Sequence, residues 1–148
     1  MPTGGCLCGE IRYEFEGEPL KILTCHCAQC HKSTSTMFST GIFLLDKQFK
    51  LLAASSSSSS LEPATPQTFS YPQTSDGSLQ ILHFCPVCST TVWRTGAADK
   101  YAGMLSVQLG TLDDPEVRDK LAPSVEYYAS LRTKWVPPIE KTEQAEGC

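Results

Sequence analysis

From Glu10 to Glu16 the chain reads Glu-Ile-Arg-Tyr-Glu-Phe-Glu, polar and apolar residues in turn. A period of two predicts a half-buried strand. Gly17-Glu18-Pro19 predicts a turn, and Leu20 to Thr24 a second short strand that runs into Cys25. A short helical turn is expected after Cys27. Met37 to Leu45 is apolar with Thr40 and Gly41 inside it, the pattern of a buried strand with a bend. Phe49 to Ala53, Thr68 to Tyr71, Leu79 to Phe84, Thr91 to Arg94 and Met104 to Leu109 predict further strands. The pair on either side of Ser75-Asp76-Gly77 reads as a hairpin. Asp113-Asp114-Pro115-Glu116 has the acidic residues and proline of a helix start. Val125 to Leu131 suits either strand or helix. Many short strands with few helical stretches predict a mainly β fold in a single domain.

Two stretches break this pattern. Six serines, Ser55 to Ser60, precede Leu-Glu-Pro-Ala-Thr-Pro. Too little apolar surface is available there to offset chain entropy, so a mobile loop over 54–66 is expected within the domain. The chain from Pro137 on is polar and is expected to fray, leaving 140–148 as a tail.

Charge and targeting signals narrow the function. The formal net charge is -4, which argues against non-specific nucleic-acid binding, since that needs a basic surface. No apolar run approaches the ~20 residues of a membrane span. The N-terminus lacks a basic n-region and an apolar h-region, so a cytoplasmic, reducing location is expected. In such a compartment thiols stay reduced unless a metal takes them.

That expectation changes how the cysteines read. Seven of the eight fall in three clusters: Cys6-x-Cys8, Cys25-x-Cys27-x-x-Cys30 and Cys85-x-x-Cys88. Zinc takes thiolates at about 2.3 Å in a tetrahedron, and a two-residue spacer lets one tight turn present two sulfurs. Cys85 and Cys88 therefore supply half a tetrahedron, and Cys6 and Cys8 are the available other half. Cys25, Cys27 and Cys30 remain as a set of three, and three protein ligands leave one position open for chemistry. His26 lies within the set and is a possible ligand, although a residue between two ligands on a tight loop usually points elsewhere. The competing readings are one four-cysteine site with three buried thiols, a disulfide framework, and a thioredoxin-like Cys85-x-x-Cys88. Cys148 stands apart on the tail and is expected to have no role. His31 and His83 read as solvated or packed residues.

The ordered clusters resemble the family of glutathione-dependent formaldehyde-activating enzymes, which share their domain with centromere protein V. The matching residues are Gly4 to Gly9, Cys25 to Lys32, Phe84 to Cys88 and the tail from Tyr127 to Trp135, so the resemblance spans 4–139. The tail resembles the fungal branch. The resemblance implies an Mss4-like, zinc-bound assembly of folded β-sheet. It implies two zinc ions per chain, one structural on Cys6, Cys8, Cys85 and Cys88, and one catalytic on Cys25, Cys27 and Cys30. It also implies carbon–sulfur lyase chemistry of the S-(hydroxymethyl)glutathione synthase kind. The partner would be a small-molecule thiol or thiol adduct. Ser35 and Ser89 depart from the family pattern, which has a smaller residue at each place, and the serine run is atypical.

A mechanism follows as an expectation. A substrate thiol near pKa ~8.5 is held ionised at the open zinc position and forms or breaks a bond to a carbonyl carbon. Three thiolates make zinc a weak Lewis acid, which favours this over water activation. Lys32 and Arg94 are candidate contacts for a ligand carboxylate, and a surface role for both is the alternative. The rival functions are a zinc-dependent protein-binding module and an enzyme of secondary metabolism acting on a larger carbonyl compound. A fourth protein ligand at the second site favours the binding module, and three ligands beside a pocket favour an enzyme.

Overall fold

The structure is a computed structural model that describes residues 1–54, 63–73 and 75–148. The serine run, expected as part of a mobile loop over 54–66, lies outside the described residues. Among the described residues, two sheets carry the fold. The smaller has the order β1-β2-β5, with β1 at Thr3–Gly5, β2 at Arg12–Phe15 and β5 at Phe49–Leu52. The larger contains β3 (Lys21–Cys25), β4 (Ser39–Leu45), β6 (Gln67–Pro72), β7 (Leu79–Phe84), β8 (Thr91–Gly96), β9 (Met104–Gln108), β10 (Val125–Tyr127) and β11 (Glu143–Ala145). Its order is β11-β10-β3-β4-β9-β8-β7-β6. Among the described residues, two short helices interrupt the strands, α1 at Ala28–Thr34 and α2 at Pro115–Lys120. The protein is mainly β, as its alternating pattern predicts.

The sheets face each other across the main core. Ile11, Tyr13 and Phe15 from the alternating segment are all buried, against Ile42, Leu44, Leu105 and Val107 of the larger sheet. Phe49 joins the layers, with its ring 5.3 Å from Tyr13 and 5.1 Å from Trp93. Expected and observed elements agree closely from β2 through β9, whereas the alternating pattern does not announce β1. Asp114 caps α2 by accepting from Glu116 N, and Pro115 opens it. The segment with an ambiguous period divides: β10 ends at Tyr127, Tyr128 turns left-handed at φ 55°, and a 3-10 turn follows over Ala129–Leu131.

One expectation is overturned. The tail does not fray. Glu143–Ala145 forms β11, parallel to β10, which is itself parallel to β3. The reason is the buried carboxylate of Glu126. Its Oε2 accepts from Gln144 Nε2 at 2.6 Å, Arg132 Nη2 at 2.9 Å and Ile139 N at 3.2 Å. Polar side chains hold this segment because the acceptor they need is buried beneath them.

Because opposed residues in a β-ladder share a face, the register fixes what lies opposite the core. Cys25 pairs with Ser39, Gly41 with Gln108, and Arg94 with Ser106. These residues share the face of the larger sheet turned away from the smaller one. Among the described residues, no helix is long and apolar enough to cross a membrane.

Candidate metal centres and the cavity beside them

The first centre is built by two tight turns. In one, Gly9 N donates to Cys6 O at 3.1 Å, and Gly9 takes φ 80°, open to glycine without strain. In the other, Ser89 N donates to Cys85 O at 3.0 Å, and Ser89 takes φ 60°. The turns bring Cys6, Cys8, Cys85 and Cys88 together, with their sulfurs all within 4.8 Å of one another. Sulfurs on a tetrahedral zinc lie about 3.8 Å apart, given bonds of about 2.3 Å. Cys6 and Cys8 are 3.5 Å apart and Cys8 and Cys85 are 3.6 Å apart, so the set fits such an ion. Backbone N–H groups also point at the sulfurs, from Ile11 to Cys6 at 3.2 Å and from Val87 to Cys85 at 3.4 Å. Such donors favour thiolates, the form that binds metal.

The second centre joins β3 to α1. Cys25 ends the strand, Cys27 caps the helix by accepting from Cys30 N at 3.4 Å, and Cys30 lies one turn on. Their sulfurs lie within 4.8 Å of one another and all three residues are buried. Among the described residues, no fourth histidine, cysteine or carboxylate belongs to the group. His26 turns away, with Nε2 3.0 Å from Glu126 Oε1. Both clusters can therefore hold metal ions, one as a closed set of four and one as an open set of three.

Cys30 has the most ionisable sulfur of the three. Hydrogen bonds from Cys25 and Cys27 hold its pKa far below the usual thiol range, and the Arg94 guanidinium adds to the effect. Arg94 Nη1 donates to Cys30 Sγ at 3.3 Å. Cys25 moves the other way, pushed up by its side-chain contacts with Cys27 and Cys30 and by burial.

Beside the three sulfurs is a cavity of about 140 Å³. Arg94 and Gln80 line it. Nε and Nη2 of Arg94 and Nε2 of Gln80 are buried with no hydrogen-bond partner among the described residues. A buried donor without an acceptor costs about 1–3 kcal/mol, so the two residues that carry these donors make this wall of the cavity a candidate place for an acceptor atom. Of the two basic residues expected at the site, only Arg94 is there. Lys32 is exposed and lines a separate cleft with Phe69 and Tyr71. His83 is a packed residue, stacked on Trp93 at 4.7 Å and 3.0 Å from Thr95 Oγ1.

Cys148 does not stand apart. It lines the same cavity, with Sγ 3.1 Å from Gln73 Nε2 and 3.4 Å from Tyr128 Oη. The pairing of β11 carries the end of the chain back to the site, which tail composition does not reveal. Gln80 and Glu126 escaped the sequence reading. Gln80 has the same strand parity as buried Leu82, and Glu126 sits within an apolar run. A polar residue on a buried parity is the signal that marks both.

Fold and site together define a mainly β protein with two cysteine clusters able to hold metal ions. The chain belongs to the family of glutathione-dependent formaldehyde-activating enzymes, whose family model matches residues 1–131. Membership points to a glutathione-related, carbonyl-activating function. The match takes in all seven clustered cysteines and stops short of Arg132, Ile139 and Gln144, which grip Glu126. No protein of curated function matches the chain.

Proposed function

We propose that the chain is a zinc-dependent enzyme that makes or breaks the carbon–sulfur bond between a glutathione-like thiol and a small carbonyl compound. Cys6, Cys8, Cys85 and Cys88 would hold a structural zinc, and Cys25, Cys27 and Cys30 would hold a catalytic one. The observation that carries the reading is a cavity lined by the three clustered cysteines together with Arg94 and Gln80, residues that carry three buried donors with no partner among the described residues. A zinc held by Cys25, Cys27 and Cys30 would keep a bound thiol ionised at neutral pH.

The chain's own residues do the rest. The thiol sulfur adds to the carbonyl carbon, the S–C bond forms as the C=O π bond breaks, and the electron pair moves to oxygen. The thiol's proton ends on that oxygen, and the reverse reaction returns it. Arg94 and Gln80 place N–H donors where this oxygen gains charge, the arrangement that most strongly stabilises a developing oxyanion. The Arg94 guanidinium also offsets the negative charge of the cysteine cluster through its contact with Cys30. Water is limited by the size of the cavity, which suits the reacting end of a ligand rather than a whole tripeptide. Three clustered cysteines beside a cavity, with His26 turned to Glu126, support an enzyme over a binding module.

The test is exchange NMR of glutathione with ¹³C-formaldehyde. The protein should accelerate interconversion of the free aldehyde and the hydroxymethyl thioether. Gln80→Leu should cut that acceleration about 100-fold, the loss typical of one oxyanion donor, and Cys27→Ser should abolish it. Interconversion at the uncatalysed rate in the zinc-loaded protein sinks the reading for this thiol and aldehyde.

A further inference from the structure

A second, larger cleft opens on the same side of the protein, between the end of α1 and the Cys85–Ser89 turn. Its volume is about 560 Å³. Ser39 lines both this cleft and the three-cysteine cavity, so the two adjoin. Eight of its thirteen lining residues carry hydroxyls, one is Arg118, and none is acidic. A cleft that mixes apolar surface with hydroxyls, one cation and no carboxylate suits an organic anion.

The decisive residue is Gln108. It is only 8% exposed, it lines the cleft, and its Nε2 has no hydrogen-bond partner among the described residues. A buried amide donor is costly when unpaired and is satisfied by an oxygen brought from outside. Several hydroxyls are already engaged: Thr34 donates to Cys30 O at 2.8 Å, and Thr90 lies 3.2 Å from Cys88 Sγ. Those of Ser35, Ser89 and Thr91 have no such partner among the described residues. Ser35 and Ser89 both adopt left-handed backbone, at φ 56° and 60°, where glycine would sit without strain. At those two turns a hydroxyl replaces a hydrogen and borders the cleft. Arg118 is anchored by Nη1 to Leu112 O at 3.3 Å, which fixes its guanidinium at the edge.

We infer that this cleft is a carboxylate-binding site, in which Gln108 and Arg118 receive the oxygens of an organic acid. The acid is either a distant carboxylate of the thiol ligand or a separate molecule. The inference does not depend on the metal or on the reaction proposed above.

Calorimetry on the metal-loaded protein tests it with two probes. Glutarate has carboxylates and no thiol; 2-mercaptoethanol has a thiol and no carboxylate. Gln108→Leu should weaken glutarate binding ten-fold or more and leave 2-mercaptoethanol binding within two-fold of wild type. Its melting temperature should equal or exceed that of wild type, because an unpaired buried amide is removed. A folding defect is thereby separated from a binding one. Arg118→Met should weaken glutarate in the same direction. Glutathione then distinguishes the sources. If it displaces both probes, the cleft takes a carboxylate of the thiol ligand. If it binds alongside glutarate, the cleft takes a separate acid. Failure of 2-mercaptoethanol to bind, with Gln108-dependent glutarate binding intact, removes the thiol reading and leaves this one. Affinities for glutarate and glutathione that Gln108→Leu leaves within two-fold, or no binding of either, overturn it.

Discussion

Glu126 ties the chain's last strand to its cysteine centre, and Glu126→Ala tests that role. The carboxylate is fully buried and accepts from His26, Arg132, Gln144 and the Ile139 backbone. Hydrogen bonds to a charged group contribute about 1.5–3 kcal/mol each but are not additive. Removing one partner of a buried ion pair costs about 3–5 kcal/mol, and Arg132 is left facing the gap. A loss of about 4 kcal/mol is therefore expected. For a chain of this length each kcal/mol lowers the melting temperature by about 2–4 °C, so a drop of about 8–16 °C should follow. Burial acts to raise the Glu126 pKa, but the bonds from Gln144, His26 and Ile139 outweigh it and hold the carboxyl below its ordinary range. A depressed carboxylate pKa means that the stabilisation is complete above the unfolded value and is lost as pH falls through the folded one. The gap in melting temperature between wild type and variant should thus be constant near neutral pH and close as the pH falls through and below the ordinary glutamate range. Scanning calorimetry from pH 7 to 3, with amide exchange at Glu143–Ala145, measures both effects. A variant that melts within 2 °C of wild type at neutral pH, or a gap that widens on acidification, refutes the clamp.

Three further outcomes are expected. Cys85→Ser should cost far more stability than Cys27→Ser, because the four-cysteine set joins segments distant in the chain and structural zinc contributes folding energy directly; matched melts decide, and equal losses would contradict the division of roles. Ser89→Gly should stabilise by about 0.5–1 kcal/mol, the left-handed penalty of about 1–2 kcal/mol less the extra chain entropy of glycine; denaturant titration reads the change, and destabilisation would show that the serine side chain packs in the native state. Gly41→Ala should destabilise by about 1–3 kcal/mol and deform the floor of the three-cysteine cavity, since a Cβ there would sit 2.3 Å from Ser106 Oγ; an unchanged melt and unchanged thiol binding would show that Ser106 moves aside freely.

Local chemistry is written in the sequence, and the cysteine centres are local chemistry. A two-residue spacer forces two sulfurs onto one side of a turn wherever the turn occurs, so Cys85 and Cys88 are legible in isolation, and so is the triplet from Cys25 to Cys30. Alternation is equally local: it placed Ile11, Tyr13 and Phe15 on a buried face because successive strand side chains must point to opposite sides. The pairing of Cys6 and Cys8 with the distant knuckle followed from the sequence only by counting ligands. What the chain cannot announce is which partner satisfies a polar group. Gln80 and Gln108 look like ordinary strand residues, and they become candidate ligand donors only because neighbouring strands bury them without an acceptor. Lys32 follows Cys30 by two residues and Arg94 follows Cys88 by six, yet the sheet register turns the more distant Arg94 toward Cys30 while the exposed face of α1 carries Lys32 to another cleft. The polar tail reads as frayed because its own composition buries nothing. It is ordered by a carboxylate on another strand, since hydrogen bonding inside a protein depends on what lies within 3 Å in space and not on what lies nearby in the chain.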